Sequence, residues 1–123
     1  MKRVFVAIPP KYDVDTDETA ALILQLQAIV HGAENAVDEY CELVCSAAPL
    51  DFLKKDSNPD KLLCAKGFVI SSLYDLCNAD FAIFAHGWQS SKECTLLYAF
   101  ARSFGIPVLD MDNPEKAEEN ADG

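Results

Sequence analysis

The sequence predicts an α/β domain built on an open, mostly parallel β-sheet. Three observations predict it. The runs Val4-Phe5-Val6-Ala7-Ile8 and Phe81-Ala82-Ile83-Phe84-Ala85 are apolar without alternation, as in strands covered on both faces. Between such runs lie longer stretches whose apolar residues recur at helical intervals. The resulting order, β-α-β-α-β-α-β, favours parallel strands joined by helical crossovers, and right-handed crossovers fix the hand of each unit.

The first strand ends at Pro9-Pro10, and the polar stretch 11–18 is a loop. Either Asp15 with Glu18 or Thr16 with Thr19 supplies the N-cap of the next helix. That helix carries Leu22, Ile23, Leu26, Ile29, Val30, Ala33 and Val37, runs to about Tyr40, and has Gly32 as a candidate bend. Leu43-Val44-Cys45-Ser46-Ala47 is a second short strand closed by Pro49, and residues 50–62 form a loop. Residues 66–79 form a helix with Phe68, Val69, Leu73 and Leu76 on one side. After the third strand, His86-Gly87-Trp88-Gln89-Ser90-Ser91 turns into a helix with Leu96, Leu97, Phe100, Ala101 and Phe104, which Gly105 ends as a C-cap. Pro107-Val108-Leu109-Asp110 is the fourth strand. One domain over 1–112 and an acidic, frayed tail over 113–123 follow.

Composition narrows the functional classes. The 123 residues carry 10 basic and 20 acidic side chains, a formal charge of −10. A general nucleic-acid surface and an anionic membrane surface are disfavoured, since both would repel the chain. No apolar run is long enough to span a bilayer, and the start lacks the long apolar stretch of a signal peptide. Cys41, Cys45, Cys64, Cys77 and Cys94 are odd in number and irregular in spacing. They read as reduced thiols of a cytoplasmic protein, with no disulfide framework and no metal site.

In open parallel sheets ligands bind at the carboxyl ends of strands where the strand order reverses. For an order 2-1-3-4 the crevice lies between strands one and three. That places Pro9 and Tyr12 on one side and His86, Gly87, Trp88, Ser90 and Ser91 on the other. Gly87 permits a sharp exit from the strand. Ser90, Ser91 and Lys92 at a helix N-terminus suit a phosphate, although simple N-capping accounts for the serines equally. Trp88 is either a stacking platform or a lid over the core, and Tyr12 is a loop tyrosine with no assigned role. His86 has the chemistry of a general acid or base but no nucleophile in an elbow with it, and His31 falls mid-helix on the surface. Cys94, in the first helical turn, is either a stabilised thiolate or a buried structural thiol.

The ordered set Ile8-Pro9, Pro49, Cys77-Asn78-Ala79-Asp80, Gly87-Trp88-Gln89-Ser90-Ser91-Lys92-Glu93-Cys94, Ala101 and Gly105-Ile106-Pro107-Val108 resembles the nucleoside 2-deoxyribosyltransferase-like superfamily, in particular its small uncharacterised members. The most specific part is Gly-Trp-x-x-Ser with Gly-Ile-Pro eighteen residues after its first glycine. The resemblance spans about residues 3–109. It implies a flavodoxin-like or Rossmann-like sheet of four to five strands, order 2-1-3-4-5, with helices on both faces, no cofactor, and a nucleoside or nucleotide ligand. In active members of the family a glutamate attacks the sugar C1′ and an aspartate assists, the two-carboxylate logic of glycosyl transfer. By register these positions fall on Leu97 and Ser72. Glu93 stands where the family has glycine, and Glu93 or Asp75 is the nearest substitute acid. The expectation is a nucleotide-binding domain with little or no glycosidic activity. The alternatives are an N-glycosidase or deoxyribosyltransferase with relocated acids, and a protein-interaction domain. A homodimer or larger assembly is expected, with Ile23, Leu24 and Ile29 on the first long helix as interface.

Overall fold

A computed structural model describes residues 1–55 and 59–113. The expected acidic tail lies outside the described residues from position 114 onward. The elements are β1 (Lys2–Ala7), α1 (Thr16–Val37), β2 (Cys41–Leu43), α2 (Ala47–Asp51), α3 (Lys61–Cys77), β3 (Phe81–Phe84), α4 (Lys92–Ser103) and β4 (Val108–Asp110). A single 3₁₀ turn, Trp88–Ser90, separates β3 from α4.

All strand pairs are parallel, and the sheet order is β2-β1-β3-β4. This is the open parallel α/β sheet read from the sequence, with four strands among the described residues. The apolar runs are strands buried on both faces. On one face Val4, Val6, Phe81 and Ile83 pack against Leu26, Val30 and Ala33 of α1. On the other, Phe5, Ala7, Ala82 and Phe84 pack against Leu76 of α3 and Cys94, Leu97 and Ala101 of α4. No helix among the described residues is long and apolar enough to cross a membrane. None of the five cysteines is in a disulfide among the described residues.

Local chemistry explains the boundaries. Asp15 caps α1: its carboxylate accepts from the Glu18 N–H at 2.8 Å, and Glu18 Oε1 accepts from the Asp15 N–H. This is a complete capping box. The helix runs through Gly32 for 22 residues. At the end of α4, the Ile106 N–H reaches the Ala101 carbonyl and the Gly105 N–H reaches that of Arg102, with Gly105 at φ 71°. That is a Schellman ending, which needs the left-handed backbone glycine adopts freely.

Three expectations shift. The second strand is Cys41–Leu43 rather than 43–47, because Asp38 ends α1 at φ 52° and the Lys2 N–H already bonds the Tyr40 carbonyl. Pro49 does not close a strand. It sits in the first turn of α2, where the N–H it lacks would have no helical partner. Finally, α3 begins at Lys61, because Asp60 Oδ1 accepts from the N–H groups of Leu62 and Leu63, and the expected start at 66 missed this cap.

Candidate functional site

One cavity has a volume of about 460 Å³. It lies over the carboxyl ends of β1 and β2. Phe5 to Pro10, Leu43 to Cys45, the start of α1, α2 and α3 enclose it, and Leu97 of α4 also borders it. The lining is mostly apolar, and the volume falls within the roughly 300–1,000 Å³ of small-molecule sites. Two carboxylates line it. Glu18 is committed to Lys11 at 2.6 Å and to the capping box, and that Lys11 bond is the main reason its carboxyl titrates below the ordinary range. Asp75 is different.

Asp75 sits in the last turns of α3 and is 4% exposed. Its Oδ2 accepts from both the N–H and the hydroxyl of Ser46, at 3.0 and 3.1 Å. Its Oδ1 has no donor among the described residues and is not sealed in. Ser46 therefore fixes the carboxylate while leaving one oxygen for the cavity. Cys45 also lines the cavity. Sequence reasoning missed Ser46 and Cys45. The partner of Ser46 is 29 residues away in sequence, and no local pattern marks either residue.

The expected family acid positions, Ser72 and Leu97, both line this cavity, as do Asp75 and Pro9. Ser72 is buried on α3, one turn from Asp75. Leu97 is 1% exposed and packs with Phe84, Trp88, Cys94 and Ala101.

A second cluster stands at the N-terminus of α4. Ser91 is the N-cap: its Oγ accepts from the Cys94 N–H at 3.2 Å and donates to Glu93 Oε1 at 3.4 Å. The Tyr12 hydroxyl donates to Glu93 Oε2 in a short hydrogen bond. Glu93 is 7% exposed. Its carboxylate thus occupies the first turn of the helix, where a negative charge meets the positive dipole end. Burial first, and then the bond to Glu93, push the Tyr12 hydroxyl well above its ordinary range. The Cys94 thiol is pushed up to about 11, chiefly by burial; the Ser91 hydrogen bond opposes this, and the Glu93 charge adds a smaller rise. Of the two readings of Cys94, the buried structural thiol is the one found.

The remaining candidates lie apart from the cavity. The Ser90 hydroxyl donates to the Gly87 carbonyl. Gly87 has φ 83°, and its N–H donates to Asp112 Oδ2. His86 Nδ1 pairs with Asp112 Oδ1 at 2.6 Å, and this pairing and the Gly87 N–H lower the Asp112 carboxyl. His86 borders a separate groove of about 570 Å³ on the α1 face of the sheet, beside Ile83 and Met111. Trp88 is buried. Its ring stacks on Tyr98 at 4.4 Å, and its Nε1–H donates to Asp110 Oδ1 at 2.9 Å. Among the described residues, those gathered around one cavity are Pro9, Ser72, Asp75 and Leu97, with the Tyr12–Glu93–Ser91 cluster on the helix turn before Leu97.

Comparison of the chain with models of protein families, with curated proteins and with solved structures finds no match.

Proposed function

We propose that this chain is a nucleoside-binding α/β domain that holds its ligand in the 460 Å³ cavity and performs little or no glycosidic chemistry. The observation that carries this reading is Asp75: a carboxylate fixed by Ser46 in a mainly apolar cavity, with Oδ1 left for a ligand donor. Sugar hydroxyls and base N–H groups are such donors. The likeness of the Gly87–Val108 motifs to deoxyribosyltransferase-like domains supports the ligand class.

The nucleoside is preferred to its phosphates. The helix N-terminus that suits a phosphate already holds the Glu93 carboxylate, and both nearby serine hydroxyls are spent internally. A phosphate placed there would meet a like charge at short range. Glycosidic chemistry is weak in this reading because Leu97 cannot attack C1′ and Ser72 cannot protonate a leaving base.

Calorimetric titration and thermal shift with nucleosides, their monophosphates and free bases test the proposal. A nucleoside at a hundredfold excess over its Kd should add about 2.7 kcal/mol of stability. Monophosphates should bind less well, and Asp75→Asn should lose most of the nucleoside response. No response to any nucleoside at millimolar concentration would refute it.

The open Asp75 oxygen favours one second reading, in which Asp75 serves as a relocated nucleophile of an N-glycosidase. Release of free base from a bound nucleoside, abolished in Asp75→Asn, would establish that activity. Tight binding with an intact nucleoside recovered would exclude it.

A further inference from the structure

The cavity carries an unbalanced charge. Lys11, Glu18 and Asp75 are the charged side chains that line it among the described residues. Lys11 and Glu18 neutralise each other at 2.6 Å. Asp75 has no such counterpart. Its two donors, the N–H and the hydroxyl of Ser46, are neutral. Among the described residues it forms no ion pair with a lysine, arginine or histidine. The rest of the wall is uncharged and mostly apolar, with Phe5, Val6, Leu53, Phe68 and Leu97 among its residues.

Two features make that charge costly. Asp75 is 4% exposed, and a buried carboxylate without a counter-charge is strongly disfavoured. It also lies in the last turn of α3, which holds no basic residue. The carbonyl end of a helix disfavours a negative charge and favours a positive one. A ligand that donates a neutral N–H completes the hydrogen bonding of Asp75 and leaves its charge unbalanced. A cationic ligand does both. The lining decides which kind of cation. An ammonium is compact and strongly hydrated, and an apolar wall would strip its water without replacing it. A charge spread over a flat conjugated group is more weakly hydrated and loses less on entering.

We propose that the cavity selects a nucleoside whose base carries a delocalised positive charge, as an N-alkylated base does, with an N–H of that base donating to Asp75 Oδ1. The inference rests on the nucleoside reading above and adds the charge of the ligand to it.

The probe is 1-methyladenosine, whose base is a delocalised cation at neutral pH and keeps an exocyclic N–H. Its reference is 2-methyladenosine, which carries the same added methyl on a neutral base. Both are titrated calorimetrically into the whole chain. A close charge pair on top of the hydrogen bond should make the cation bind about tenfold more tightly or better. Asp75→Asn keeps an oxygen that can accept from Ser46, and it should cost the cation more than the neutral compound. Should that variant lose its cooperative melt, Gln25→Lys sets a fixed positive charge on the wall from an exposed residue that lines the same cavity. It too should weaken the cation selectively. Equal affinities, or tighter binding of the neutral compound, would overturn the inference and leave the nucleoside reading standing. So would a cation preference that survives these variants unchanged. No binding of either compound or of adenosine would overturn both.

Discussion

Removing one hydroxyl from Tyr12 should uncover how strongly the loop after β1 depends on α4. Tyr12→Phe keeps the ring and deletes the donor to Glu93 Oε2. What remains is a carboxylate that is 7% exposed and holds one 3.4 Å bond from Ser91. A hydrogen bond to a charged group contributes about 1.5–3 kcal/mol. Tyr12 itself is half-buried, so water can take part of the hydroxyl's place, and the lower end of that range applies. The expected loss is about 1.5 kcal/mol, or a melting temperature lower by about 4–8 °C for a domain of this size. Urea unfolding of the wild type, Tyr12→Phe, Glu93→Gln and the double variant completes a thermodynamic cycle. The coupling should be about 1–2 kcal/mol. The pH dependence gives an independent reading. The Tyr12 hydroxyl is raised above its ordinary 10.0 in the folded chain, so the fold holds this proton better than the unfolded chain does. Its contribution is whole below about pH 10 and declines above it, as the unfolded chain ionises first. Tyr12→Phe should flatten that alkaline decline. Additive single variants, or an unchanged alkaline slope, would show that the Tyr12–Glu93 bond does not hold the loop.

Leu97→Glu should destabilise by about 3 kcal/mol or more, because no donor awaits a carboxylate beside Phe84, Trp88 and Cys94. A variant within about 0.5 kcal/mol of wild type in urea would show that Leu97 faces open solvent through the cavity. Gly67→Ala should also destabilise, by about 1–2 kcal/mol. A Cβ there would fall 2.3 Å from the Phe52 ring, and this overpacking exceeds the roughly 1 kcal/mol that alanine adds to a helix. A raised melting temperature would mean that Phe52 swings aside freely. Trp88→Phe should cost about 2 kcal/mol in chemical denaturation. It withdraws the Nε1–H from Asp110, a 1% exposed carboxylate that keeps only the Asp112 N–H on Oδ1 and whose Oδ2 has no partner among the described residues. A neutral result would show that the Asp112 N–H suffices for Asp110 without the indole.

The parts of the molecule that were legible in the sequence are those set by neighbours within a turn or a pleat. Val4–Ala7 and Phe81–Phe84 read as two-sided strands because every residue in them is apolar and must be covered from both faces. The Asp15–Glu18 box and the Gly105 ending are local hydrogen-bond motifs, so spacing alone exposes them. β2 was misplaced because its register is set across the sheet, by Lys2 opposite Cys41, and not by its own residues. α3 was started late because Asp60 caps a first turn whose leucines point outward, against the expected pattern.

The site divides along the same line. Ser72 and Leu97, the two positions that the resemblance singles out, line the cavity. The identity of the charged groups that matter could not be read from the sequence. Glu93 looked in sequence like a substitute acid for catalysis, one turn from Leu97. In the fold it is bound by two hydroxyls, one of them 81 residues away in sequence. A carboxylate so held is a weaker nucleophile, since each oxygen already shares electron density with a donor. It is a good occupant of a helix N-terminus that would otherwise attract an anion. Asp75 shows the opposite arrangement: Ser46 engages one oxygen and the other is left open. The two acids thus differ in what their oxygens can still accept, and on that ground the proposed function rests on Asp75 and not on Glu93.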